Sequence, residues 1–177
     1  MIKFKRFFTF SLAIIGLSSL TAISCEDTDD LLNVDVPTDI KRSFDITTTE
    51  AKDTSFTETV NPSGEEIDEY KDRIINISAN KLIIDVTDNG SEGNIGSGEI
   101  ILISEYGDFS FLTIDDINDL DGTQIDLNAD IQDAIARSLE AFEPFDIQLE
   151  LTSDGAISYT VGITIEGVMT VSAVSSN

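Results

Sequence analysis

Five aspartates within twelve residues, Asp115, Asp116, Asp119, Asp121 and Asp126, form the densest set of hard oxygen ligands in the chain. Calcium takes six to eight oxygens from closely spaced carboxylates on a bent loop, so this is the stretch where a calcium site is expected if one exists. The register of a twelve-residue calcium loop argues against it. With Gly122 at the sixth position, Ile117 falls at the first and Asn128 at the twelfth, where carboxylates are needed. The loop after Asp85 fails in the same way, because Gly96 takes the twelfth place. A solvated acidic loop is therefore the favoured reading, and no other cofactor is implied. Paired carboxylates also serve glycoside hydrolysis, but among 34 acids some pair always looks suggestive, and no tryptophan is present to stack on a sugar ring. The chain has no histidine, which removes the commonest general base and the commonest transition-metal ligand. The glycines at 90, 93, 96 and 98 are not followed by a phosphate-loop lysine. None of these arrangements assembles a nucleophile and a base, so a non-enzymatic protein is expected.

The remaining reactive residue is Cys25, the only cysteine. Lys3, Lys5 and Arg6 precede a largely apolar run from Phe7 to Leu20, and Leu20-Thr21-Ala22-Ile23-Ser24 leads into Cys25. The run is too short and too rich in Ser and Thr for a spanning helix, which needs about 20 mostly apolar residues. This ordered combination resembles the lipobox of bacterial lipoproteins of the Bacteroidota type. The resemblance implies a signal peptide over 1–24, removed on maturation, and a lipidated Cys25 as the membrane attachment. Each buried methylene of an acyl chain contributes about 0.8 kcal/mol, so two or three chains hold a protein durably. Glu26, Asp27, Asp29 and Asp30 follow at once and resemble an acidic export signal, which implies a lipid anchor in the outer membrane with the domain at the cell surface.

Composition bounds the rest. Losing the first 24 residues removes three of the ten basic residues and none of the 34 acidic ones, leaving 153 residues with a net charge of −27. Such a surface repels phosphates, so nucleic acid is excluded as a partner. A protein or glycan partner fits the expected binding or scaffolding role. One domain of this length builds a real core without disulfides.

Residues 25–41 read as an acidic tether and 42–177 as the folded domain. Alternation around Phe44–Ile46, Phe56–Val60, Leu82–Thr87 and Asp108–Ile114 marks strands with one wet face. Ile100-Ile101-Leu102-Ile103 reads as a strand buried on both faces. Ile67, Tyr70 and Ile74 suit a short amphipathic helix after a cap at Ser63. Leu127, Ile131, Ile135, Leu139 and Phe142 mark a second helix, capped by Asn128 and stopped by Pro144. Phe145 to Leu151 and Ile157 to Ile165 alternate on either side of Asp154-Gly155, which predicts a hairpin. The expected fold class is mostly β: an antiparallel β-sandwich, jelly-roll or Ig-like, with two short covering helices. The order of its elements resembles small uncharacterised β-sandwich lipoproteins of the Bacteroidota, and that resemblance implies no activity.

Overall fold

A computed structural model describes residues 33–64, 66–91, 94 and 96–173. The expected signal peptide over 1–24 and the expected lipid attachment at Cys25 lie outside the described residues. Eight strands form two four-stranded antiparallel sheets. The first contains β1 (Asn33–Thr47), β8 (Ser158–Ser172), β3 (Ile74–Asp88) and β6 (Thr123–Asp126), in that order. The second contains β2 (Lys52–Val60), β7 (Phe145–Ser153), β4 (Gly96–Ser104) and β5 (Gly107–Ile114). The chain changes sheet at every connection except β4–β5, which gives the interlocked order of a jelly roll.

Period-2 alternation builds the core. Phe145, Ile147, Leu149 and Leu151 of β7 and Tyr159, Val161, Ile163 and Ile165 of β8 are each 2% exposed or less. They project from the middle of opposite sheets into one apolar layer. The buried Tyr159 hydroxyl is satisfied by donating to the Asn94 carbonyl at 3.2 Å. These two strands are not the expected hairpin. They belong to different sheets, and Asp154–Ile157 carries the chain across the sandwich. Among the described residues the glycines with positive φ are Gly90, Gly107 and Gly122, so Gly155 does not make the expected tight turn. Thr48 holds the crossing instead: its N–H donates to the Ile157 carbonyl at 2.9 Å, and its hydroxyl donates to the Gly155 carbonyl at 3.1 Å. Inward alternation is the same whether two strands pair side by side or face each other across a core. The within-sheet hairpin is β4–β5, closed through Glu105 and Tyr106 with Gly107 at φ 132°.

Four further expectations need correction. The tether boundary at 41 lies inside β1, because residues 33–41 pair in unbroken register with β8. Thr38 and Ile40 are buried on its inner face while acids occupy the outer one. The helix expected to reach Ile74 is a 3-10 helix over Glu66–Arg73, and Ile74 opens β3. Ile67 and Tyr70 stand three apart, which aligns them on a three-residue turn. Ser63, expected as the helix cap, lies inside a separate 3-10 turn over Pro62–Gly64, at whose start Asn61 accepts the Ser63 N–H at 3.1 Å. Strand β4 is fully buried on its inner face alone: Ile100 and Leu102 are sealed, while Ile101 and Ile103 are half-buried on the outside.

The second expected helix is α1 (Ala129–Glu140). The Asn128 side chain accepts the Ile131 N–H at 3.0 Å, satisfying one of the free donors of its first turn. Its face of Ile131, Ala134, Ile135 and Leu139 covers β3. Phe142 at φ 55° reverses the chain ahead of Pro144, a left-handed position at which helices commonly end. No described helix is long and apolar enough to cross a membrane.

Candidate functional site

The jelly-roll order brings the β1–β2, β3–β4, β5–β6 and β7–β8 connections to one end of the sandwich. Hydrogen bonds tie Thr48 to residues 155 and 157, Asn89 to Ser158, and Asn94 to Ala156. Asn33 and Ser172 pair at the opposite end. The five aspartates belong to the loop end and its adjoining strand, where the structure employs them singly. Asp116 caps a 3-10 turn over Ile117–Leu120, accepting the Asn118 N–H at 3.0 Å and its Nδ2 at 2.9 Å. Ile117 and Leu120 are buried beneath that turn, so the loop is anchored from inside.

Asp121 accepts the Val86 N–H at 2.9 Å. The pairing of β6 with β3 stops at Ile84, and the Asp121 carboxylate supplies the next acceptor along the ladder. Asp126 stands opposite Lys81 on the sheet face, a cross-strand pair of opposite charge. Asp115 and Asp119 are exposed. Among the described residues, no three acidic side chains converge as a metal ion requires. The acidic loop weighed as a calcium candidate contributes local backbone acceptors, and capping and ladder completion turn its neighbouring carboxylates Asp116 and Asp121 to different partners.

A second carboxylate at this end has a defined environment. Asp88 accepts the N–H groups of Gly90 and Ser91, both at 2.8 Å. These bonds, the Ser91 amide first, hold its carboxyl below the ordinary 3.8. At the other end, the Tyr106 hydroxyl donates to Glu143 at 2.8 Å, and that carboxylate raises the phenol's pKa. Arg137 lies over the Tyr106 ring at 4.2 Å, and Lys71 over the Phe142 ring at 4.6 Å. These contacts fasten α1 to its neighbours.

The feature with the shape of a binding surface is on the outer face of the second sheet. An open depression of about 570 Å³ is lined by Asp53, Ser55, Glu99, Thr113, Glu150 and Thr152, with Gly98 beside them. Register builds it. Ser55, Glu150, Glu99 and Thr113 stand in one row across β2, β7, β4 and β5. Thr152 donates to Asp53 at 2.7 Å, while the Gln148 amide donates to Glu150 at 2.6 Å and Ser55 at 3.0 Å. Glu99 faces Glu150 directly across the strands, a like-charge pairing that destabilises a sheet. No lysine or arginine lines the depression. Its chemistry is that of a hydrogen-bond acceptor surface, suited to hydroxyl-bearing or cationic groups. Sequence reasoning missed it because residues 53, 99, 113 and 150 meet only through register. The available signal was polar residues at every second position opposite the apolar ones.

No family model matches the chain, and no curated protein matches it in sequence. Among solved structures, it is similar to Desmodium yellow mottle tymovirus at 11% identity and a TM-score of 0.37, over 99% of this chain and 100% of that one. It is also similar to infectious bursal disease virus, Gx strain, at 13% identity and a TM-score of 0.27, over 93% of this chain and 43% of that one. Likenesses this slight bear on no functional conclusion.

Proposed function

We propose that the chain is a cell-envelope lipoprotein, attached to the outer membrane through lipid on Cys25 and displayed at the cell surface. Its β-sandwich serves as a non-enzymatic binding or scaffolding module. The observation that carries this reading is the placement of β1. Its first residue, Asn33, stands eight positions after Cys25 and opens the sandwich at the end opposite the loops. Eight extended residues reach about 29 Å at most, and β1 adds roughly 50 Å for its 15 residues. A cysteine held in a bilayer therefore leaves the β1–β2 connection free to stand well clear of the lipid. The acceptor face on the second sheet provides the surface for a glycan hydroxyl or a basic protein side chain.

Mass spectrometry of the protein extracted from native membranes tests the anchor. The expected species begins at Cys25 and carries acyl mass; an intact amino terminus with a bare thiol overturns the reading. Protease treatment of unbroken cells tests display, with survival of the domain as the contrary result. A second reading, a carboxylate-dependent carbohydrate-active enzyme, is favoured by the apposition of Glu99 and Glu150. Turnover of a glycan that disappears in Glu99→Gln would establish it over the first.

A further inference from the structure

Among the described residues, each sheet has two edge strands whose outward N–H and C=O groups lack a ladder partner: β1 and β6 in one sheet, β2 and β5 in the other. Folded proteins blunt such edges to prevent pairing with another chain. Three of the four are blunted here. Strand β1 carries Pro37 with Lys41 and Arg42, β6 is four residues long, and β5 bulges at Phe111, which the register skips between Ile100 and Ile101. Strand β2 has no proline and no bulge, is longer than β6, and its charges, Lys52, Asp53 and Glu58, leave the central stretch Thr54–Thr57 uncharged. Its nine residues, Lys52-Asp53-Thr54-Ser55-Phe56-Thr57-Glu58-Thr59-Val60, pair with β7 without a register shift.

The orientation of the free edge follows from two contacts. The Lys52 N–H points toward β7, donating to Ser153 Oγ at 3.3 Å. The Thr59 carbonyl points away from β7, accepting from Arg42 Nε at 3.4 Å. Alternation then turns the backbone groups of Asp53, Ser55 and Thr57 outward as well. We infer that β2 is a self-association edge, pairing antiparallel with β2 of a second copy about a twofold axis through Phe56.

The sequence of β2 is complementary to itself in that register. Ser55 exchanges both backbone hydrogen bonds with Thr57 of the second copy, and Phe56 meets its own counterpart. No like charges stand opposite: Lys52 faces Val60, Asp53 faces Thr59, and Thr54 faces Glu58. Lys52 also lies diagonal to Glu58 of the second copy, within reach of a long side chain, and symmetry makes that pair twice. Phe56 is half-buried in the single chain and gains cover from its counterpart. The Arg42 contact occupies Thr59, so the pairing centres on residues 55–57. A closed twofold contact of this kind consumes the last open edge and joins the two acceptor faces into one eight-stranded sheet.

The test is the mass of the full-length chain in detergent, by light scattering that separates protein from bound detergent, at about 0.15 M salt where charges beyond roughly 8 Å are screened. The natural chain is expected to be dimeric at tens of micromolar. Thr57→Pro removes an outward N–H without touching the β7 ladder and is expected to give a monomer with an unchanged circular dichroism spectrum. Lys52→Glu sets it against Glu58 of the second copy and weakens the dimer about tenfold, and adding Glu58→Lys restores it. A natural chain that stays monomeric at hundreds of micromolar overturns the inference. So does a Lys52→Glu chain that associates as tightly as the natural one.

Discussion

At the scale of single residues, the acids divide by what their oxygens accept. Asp88 and Asp121 take backbone N–H groups that the strands leave over, and Asp116 takes those of its own turn. Asp88 gives a pH prediction whose sign follows from its bonds. Its carboxyl is held below the ordinary 3.8 in the folded chain, so its contribution is complete at neutral pH and disappears as pH falls through that lowered value. A carbon-13 titration of the Asp88 carboxyl is expected to midpoint below that of exposed aspartates, and Ser91→Pro, which removes the first of the two N–H donors, is expected to bring it back up. Asp121 gives a second prediction. Asp121→Ala leaves the Val86 N–H without its acceptor and raises its hydrogen-exchange rate roughly fivefold, whereas Asp121→Asn keeps the acceptor and the protection.

Among the elements, α1 and the β4–β7 ladder rest on identifiable positions. Asn128→Ala is expected to cost about 1 kcal/mol in urea unfolding, because the Ile131 N–H loses its acceptor at the helix start. Gly98→Ala is expected to cost about 1–3 kcal/mol, since a methyl there overlaps the Glu150 carbonyl oxygen and pushes β4 off β7. This scale also separates what the sequence makes legible from what it hides. The strand faces of β7 and β8 and the start of α1 can be read directly, because periodicity and capping are local properties. Which strands share a sheet cannot, because Ile147 and Ile163 point inward under either pairing. The opening of β1 is obscured by Pro37 and the acids on its outer side, although Val34, Val36, Thr38 and Ile40 keep the alternation. The acceptor depression is hidden more deeply, since Asp53, Glu99 and Glu150 become neighbours only once two registers are fixed.

For the whole molecule, the dominating quantity is charge. The chain carries −24 with 34 acids and ten bases, and ion pairs among the described residues, such as Lys41–Asp39 at 3.9 Å and Arg137–Asp133 at 3.5 Å, are exposed. Exposed pairs of this kind contribute about 0–1 kcal/mol, so net repulsion works against the compact state. The thermal midpoint is therefore expected to rise by several degrees between 50 mM and 1 M sodium chloride, as the Debye length falls to about 3 Å. Calorimetry at the two salt concentrations checks it. An unchanged midpoint would mean that the acids lie too far apart to repel one another.

The pairing of Asn33 with Ser172 also decides how the sandwich responds to force. A load applied at the Asp154–Ile157 crossing and resisted at Asn33 runs parallel to β1, so the fifteen-residue ladder with β8 is sheared and its hydrogen bonds share the strain together. Pulling Asn33 away from Ser172 instead peels the same ladder open one rung at a time. The fold is mechanically strong along one direction of pull and weak along the other, and single-molecule stretching between the two pairs of attachment points would give well-separated rupture forces.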